Sequence, residues 1–141
     1  MRRNATELRK LRHGRTAALL IVDPDLSFAF WLGHALDEAG YASLPAQSTP
    51  AAAELLFLND VTFEVAVMDA ALPGAAAFAK RLRALFPPMK IVATVEDGVC
   101  DLSIYDGHRA KPRLRDEAST TAWVEFIGSL SPPPRPARVR R

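Results

Sequence analysis

Cysteine is nearly missing from this chain. Cys100 stands alone among 141 residues, which excludes an internal disulfide, a Cys-x-x-Cys redox pair and any thiolate metal cluster, and fits a reducing compartment. Histidine is scarce as well. His13, His34 and His108 are too scattered for a local zinc motif. Long apolar runs are also lacking. The first, over residues 17–22, ends at Asp23 and is too short for a signal-peptide core or a membrane span. The expected location is therefore the cytoplasm. No internal repeat is visible. What remains is an ordinary globular composition, 49% hydrophobic and 24% charged, in a length that supports one domain with a real core but not two.

The net charge of +2 hides a segregation. Residues 1–15 carry six basic side chains against Glu7, and residues 132–141 carry four arginines. The stretch between them holds 8 basic and 15 acidic residues, so an acidic domain is flanked by basic arms. Such arms can touch nucleic acid, anionic lipid or the protein's own acidic surface. The plainer reading, solvated tails, is preferred. Ser131-Pro132-Pro133-Pro134-Arg135-Pro136 cannot be helical and reads as extended polyproline. The expected organisation is a basic arm over 1–15, a domain over 16–130 and a Pro/Arg-rich tail over 131–141.

Between the arms, strand and helix patterns alternate. Residues 17–22 form a continuous apolar run suited to a strand buried on both faces. Asp25 or Ser27 can cap a helix reaching about Ala39, with Phe28, Leu32, Ala35 and Leu36 inward and Gly40 as its stop. A weak strand follows over 41–46. Ser48 or Thr49 then caps a second helix with Pro50 in its first turn. Strand patterns recur over 63–68 and 91–95. The helix between them, 75–86, points Phe78, Leu82 and Leu85 inward and Lys80, Arg81 and Arg83 outward. Residues 96–110 are polar and ambiguous. A last helix over 117–130 carries Trp123, Phe126, Ile127 and Leu130 on one stripe. This alternation implies a parallel sheet with helices on both faces, all strand C-termini on one edge, and chemistry on that edge.

Acids stand at those strand tips. Asp69 ends an apolar strand just before Ala70-Ala71-Leu72-Pro73-Gly74, and Asp23-Pro24-Asp25 ends the first. Converging carboxylates repel by roughly 4 kcal/mol at about 4 Å in a medium of effective dielectric about 20, so a proton or a cation must hold them. Oxygen ligands with waters suit Mg²⁺. With a hydroxyl at Thr94 and a nearby lysine, such a site could stabilise a transferring phosphoryl group, with Asp69 as nucleophile. Each residue also has a plain reading. Asp69 could cap a turn, Asp23 or Asp25 could cap the first helix, Thr94 could simply end a strand, and Lys111 could be solvated.

Taken together, Val22-Asp23-Pro24-Asp25, Asp69-Ala70-Ala71-Leu72-Pro73-Gly74, Thr94 and Lys111-Pro112 occur in order, each after an expected strand. In this the chain resembles the receiver domain of two-component response regulators, as an atypical single-domain member. The resemblance covers about residues 16–130. It implies a flavodoxin-like α/β fold with strand order 2-1-3-4-5, and a signalling module rather than an enzyme. It also implies that Asp69 accepts a phosphoryl group from a histidine kinase or phosphotransfer protein. Asp23, Asp69 and the Ala71 carbonyl would hold Mg²⁺, Thr94 would contact the phosphoryl group, and Lys111 would pair with it. An unidentified downstream protein would read the result, and a homodimer is compatible with the resemblance.

Several departures accompany it. Receivers usually carry two adjacent acids after the first strand; here Pro24 takes the second place, and Asp25 is displaced by one position, so Mg²⁺ binding is expected to be weak. The stretch from Asp69 to Thr94 is slightly short. The stretch from Thr94 to Lys111 is several residues short, so the helix between the fourth and fifth strands is expected to be truncated or missing. His108 stands where an aromatic is usual, and Arg109 where a buried strand prefers an apolar residue. The alternative reading is a pseudo-receiver, a phosphorylation-independent interaction module. A weaker one is a nucleic-acid or membrane adaptor working through the arms.

Overall fold

Strand β1 (Ala17–Val22) is apolar at every position and buried at every position, which places it inside a sheet covered on both faces. The structure, a computed structural model, describes residues 17–58, 62–96 and 101–133. The basic arm, most of the Pro/Arg tail and Cys100 lie outside the described residues. After β1 come α1 (Leu26–Glu38), β2 (Tyr41–Ala46), α2 (Thr49–Leu58) and β3 (Phe63–Asp69). The chain continues through α3 (Ala75–Leu85), β4 (Lys90–Val95), β5 (Gly107–Ala110) and α4 (Glu117–Leu130). The five strands form one sheet in the order β2-β1-β3-β4-β5, all neighbours parallel, as the resemblance implies.

Alternate residues of β1 feed two cores, because successive side chains in a strand point to opposite faces. Ala18, Leu20 and Val22 meet Ala52 and Leu56 of α2 and Phe78, Ala79 and Leu82 of α3. Leu19 and Ile21 meet Phe28, Leu32 and Leu36 of α1 and Trp123 and Ile127 of α4. The caps of α1 and α2 follow the sequence reading, and Asp116 before α4 is a cap that reading did not name. The Asp25 carboxylate accepts from Phe28 N–H at 3.2 Å, Ser48 Oγ from Ala51 N–H at 3.2 Å, and Asp116 from Ser119 N–H at 2.8 Å. Gly40 after α1 and Gly74 before α3 have φ of +104° and +77°, a region where a side chain would be strained. Pro45 is tolerated in β2 because that strand lies at the sheet edge.

Leu85 departs from expectation. It is 54% exposed rather than inward, because Ala75 and Ala79 complete the buried stripe with Phe78 and Leu82 and the helix ends at Leu85. The β4–β5 connection departs in the expected direction. Among its described residues none is helical. Ile104 and Tyr105 instead pack against the core beneath α2 and α3. Without a full helix over it, β5 is half-buried at Gly107 and exposed from His108 to Ala110. Arg109 is therefore tolerated, with its guanidinium 5.9 Å from the centre of the Phe126 ring.

Asp106 anchors this helix-poor connection. Its N–H donates to Ile91 O at 2.7 Å, and its carboxylate accepts from Ile91 N–H at 2.7 Å and from Arg83 at 3.0 Å. Arg83 also donates to Ile104 O at 2.7 Å. Burial, the largest influence, pushes the Asp106 carboxyl up, but the bonds from Ile91 and Arg83 outweigh it and hold its pKa below the usual range. Asp106→Ala would strand the Ile91 N–H and is expected to cost about 1–3 kcal/mol, read by urea unfolding. A depressed folded-state pKa gives stability that is present above the unfolded value, about 3.9, and lost as pH falls through the folded one. The deficit of the variant should therefore shrink in acid. A deficit that stays constant down to strongly acid pH would contradict this role.

Candidate phosphoacceptor site

The chain leaves β1 toward β2 on one side and later enters β3 on the other, so the crevice between the C-terminal ends of β1 and β3 is the switch point of the sheet. Asp23 and Asp69 flank it. Asp23 follows β1 directly, its N–H donating to Ala46 O at 2.9 Å, and it is only 1% exposed. Asp69 is the last residue of β3, and its side chain is 17% exposed. One acid is therefore deep and the other reachable.

Lys111, just after β5, joins the two. Its ammonium donates to Asp23 Oδ1 at 3.0 Å and lies 2.8 Å from Oδ2, with Asp69 Oδ2 at 3.5 Å. It also lies 5.1 Å from the centre of the Phe28 ring, a cation–π arrangement. The solvated reading of Lys111 does not hold, since its side chain is 17% exposed. Burial, the largest influence on Lys111, draws its pKa down, but the bond and charge of Asp23, then the charges of Asp69 and Asp25, raise it above the ordinary lysine value. Burial pushes the Asp23 carboxyl up, and the bonds from Lys111 and the Asp25 N–H offset this only in part.

The turn after β3 presents Asp69. Ala71 N–H donates to Asp69 Oδ1 at 2.9 Å, Leu72 N–H to Asp69 O at 3.1 Å, and Ala70 N–H to Thr94 O at 3.0 Å. Thr94 is the register partner of Asp69 in β4. It is 1% exposed, and its Oγ1 has no hydrogen-bond partner among the described residues. A buried, unused hydroxyl beside the reachable carboxylate is an available donor for an incoming oxygen.

The expected ligands, Asp23, Asp69 and the Ala71 carbonyl, would offer oxygen alone. Mg²⁺ is typically held by one or two carboxylates with waters and phosphate oxygens. Asp23 Oδ2 is buried and, among the described residues, faces the Lys111 ammonium at 2.8 Å, so the oxygen set suits Mg²⁺ by charge and ligand type while that ammonium stands against Oδ2. Among the described residues no group of three or more His, Cys, Asp or Glu comes together. Asp25 does not stand in for the missing acid: its side chain caps α1 and lies 3.7 Å from Arg115.

Sequence reasoning did not single out Arg115, or Phe28 as a partner of Lys111. Arg115 Nη1 donates to Ser27 Oγ, a contact spanning 88 residues that no local pattern signals. Phe28 reads only as a core position of α1. His108 and His34 are exposed, the latter paired with Glu38 at 2.8 Å.

No family model matches the sequence, and no curated protein matches it. Solved structures do match. A CheY-like response regulator receiver domain protein from Methanospirillum hungatei has a TM-score of 0.67 at 19% identity, covering 82% of this chain and 94% of its own. The response regulator TrrA from Thermotoga maritima, in complex with Mg²⁺ and BeF, has a TM-score of 0.64 at 22% identity, covering 82% and 99%. A CheY-like receiver domain from Methylobacillus flagellatus has a TM-score of 0.65 at 22% identity, covering 82% and 99%. With its strand order and the acids and lysine gathered on one sheet edge, this chain has the fold of the CheY-like response-regulator receiver domains.

Proposed function

We propose that this chain is a two-component receiver that takes a phosphoryl group onto Asp69 from a phosphohistidine of a histidine kinase or phosphotransfer protein. The observation that carries the reading is the pairing of a reachable carboxylate, Asp69, with a lysine 3.5 Å away that a buried acid, Asp23, holds in place. An Asp69 oxygen forms the new bond to phosphorus as the P–N bond breaks, and the departing imidazole keeps its electron pair and takes up a proton. Lys111 neutralises charge on the transferred oxygens, and Thr94 Oγ1 donates to one of them. When bound by Asp23, Asp69 and the Ala71 carbonyl, Mg²⁺ would add a second positive charge against those oxygens. Pro24 leaves it one acid short, so binding is expected to be weak.

Signalling would then pass by protein contact, in the cytoplasm, with the chain acting as a module rather than an enzyme. Among the described residues no helix is long and apolar enough to cross a membrane. A second reading, a pseudo-receiver, is favoured by one observation: the Lys111 ammonium already occupies a cation's place against both Asp23 oxygens.

Incubation with acetyl phosphate and Mg²⁺, followed by intact mass, tests the proposal. One phosphoryl adduct is expected, and Asp69→Asn should abolish it. An adduct that survives Asp69→Asn would place the chemistry elsewhere. No adduct, together with no response to beryllofluoride, would leave the pseudo-receiver.

A further inference from the structure

We propose that Arg115 is a positioning residue for this site: it clasps the β5–α4 loop to the β1–α1 loop and so holds Lys111 over the two carboxylates. The inference rests on the reading of Asp69 as phosphoacceptor.

Lys111 is a point charge on a flexible four-carbon stem. Its placement therefore depends on where the backbone of the β5–α4 loop lies. That loop starts from an exposed four-residue edge strand, which is a poor anchor. Its other end is built into α4: Asp116 caps the helix, and Ser119 Oγ donates to Leu114 O at 2.7 Å. Among the described residues, two side chains of this loop reach across to the β1–α1 loop and the first turn of α1. Lys111 reaches Asp23, and Arg115 reaches Ser27 Oγ through Nη1 while Nη2 lies 3.7 Å from Asp25 Oδ2. Both hydrogen bonds span 88 residues, so they run as parallel rungs.

The second rung ends on a neighbour of the acid that ends the first. Asp25, beside the guanidinium, donates its N–H to Asp23 Oδ1 at 2.8 Å. Arg115 thus fixes, from one side, the loop that carries Lys111 and, from the other, the turn that orients Asp23. Arginine suits this because its planar fork reaches two acceptors at once.

Exposure separates this role from plain stabilisation. The Arg115 and Asp25 side chains are 34% and 45% exposed, and exposed pairs of this kind contribute little to global stability. Losing the clasp should therefore leave the unfolding midpoint nearly unchanged while displacing Lys111. Misplacing a reacting group by a fraction of an ångström is enough to slow a step.

The test uses the full chain with Arg115→Ala, Arg115→Lys, Lys111→Ala and the double variant Arg115→Ala/Lys111→Ala. Initial phosphorylation by acetyl phosphate with Mg²⁺ is followed by intact mass. Arg115→Ala should slow it on the order of 10-fold, Arg115→Lys should recover part of the loss, and the double variant should be no slower than Lys111→Ala. Multiplicative losses in the double variant would show that Arg115 does not act through Lys111, and would overturn the proposal. Amide hydrogen exchange gives an independent readout. In Arg115→Ala, residues 23–27 and 111–115 should exchange faster while amides of β1 and β3 stay protected. Unchanged exchange in both loops would also overturn the clasp. If the wild-type chain takes no phosphoryl group, the phosphoacceptor reading fails, and the exchange result still decides the clasp.

Discussion

Lys111→Met is expected to destabilise the fold by about 3–5 kcal/mol near neutral pH, because it removes one partner of a buried ion pair and leaves the other charged. Asp23 is 1% exposed and would lose the ammonium 2.8 Å from its Oδ2. Its carboxyl is already pushed above the ordinary range by burial, with Lys111 offsetting part of that push. Without Lys111 the folded-state pKa should climb further. A folded-state pKa raised above the unfolded value, about 3.9, means that the folded form gains the proton more readily. Its contribution is then fully present below the unfolded pKa and lost as pH rises through the folded one. The deficit of the variant should therefore be small in mild acid and grow toward neutrality. Urea unfolding of both proteins across this range measures it, and an equal deficit at every pH would rule out an unpaired Asp23 as its cause. Asp23→Asn added to Lys111→Met should recover much of the loss, since no charge is left buried.

Trp123→Ala is expected to cost about 3–5 kcal/mol, a large share of the roughly 5–15 kcal/mol that holds a domain together. The indole is 1% exposed and meets Phe28 and Phe126 edge-on, with ring centroids 5.8 and 5.7 Å apart. It joins α1, α4 and the sheet, so its loss opens the core that supports the floor under Lys111. Trp123→Phe should cost far less. The Nε1–H has no partner among the described residues, and an unsatisfied buried donor carries a penalty of about 1–3 kcal/mol that phenylalanine would not. Unfolding followed by circular dichroism compares the two variants. Equal losses would mean that the indole N–H, rather than ring packing, is what matters at this position.

Much of this architecture is legible along the chain because its signals are local. β1, β2 and α4 occupy residues 17–22, 41–46 and 117–130, where apolar runs, Gly40 and the stripe through Trp123 and Ile127 mark the sequence. Asp23, Asp69, Thr94 and Lys111 were readable as strand-tip residues because a parallel sheet places every strand C-terminus on one edge. Leu85 departs from its pattern for a related reason. Helical spacing marks a stripe, but whether its last member is covered depends on what lies beyond the helix end, and there it meets solvent. Asp25 could be read either as a cap or as a displaced acid, and only the positions of Phe28 N–H and Arg115 separate these.

The sequence by itself determined the alternation of strands and helices, the edge on which the acids gather and the shortened β4–β5 connection. Each of these follows from periodicity, chain length or the handedness of a crossover. Only the tertiary structure decided that Asp23 is sealed and Asp69 reachable, that Lys111 rests on Phe28, that the Thr94 hydroxyl has no partner among the described residues, and that Arg115 ties two loops together. Those facts depend on side chains brought together from distant parts of the chain. Their burial and charge are set by neighbours that local pattern does not encode.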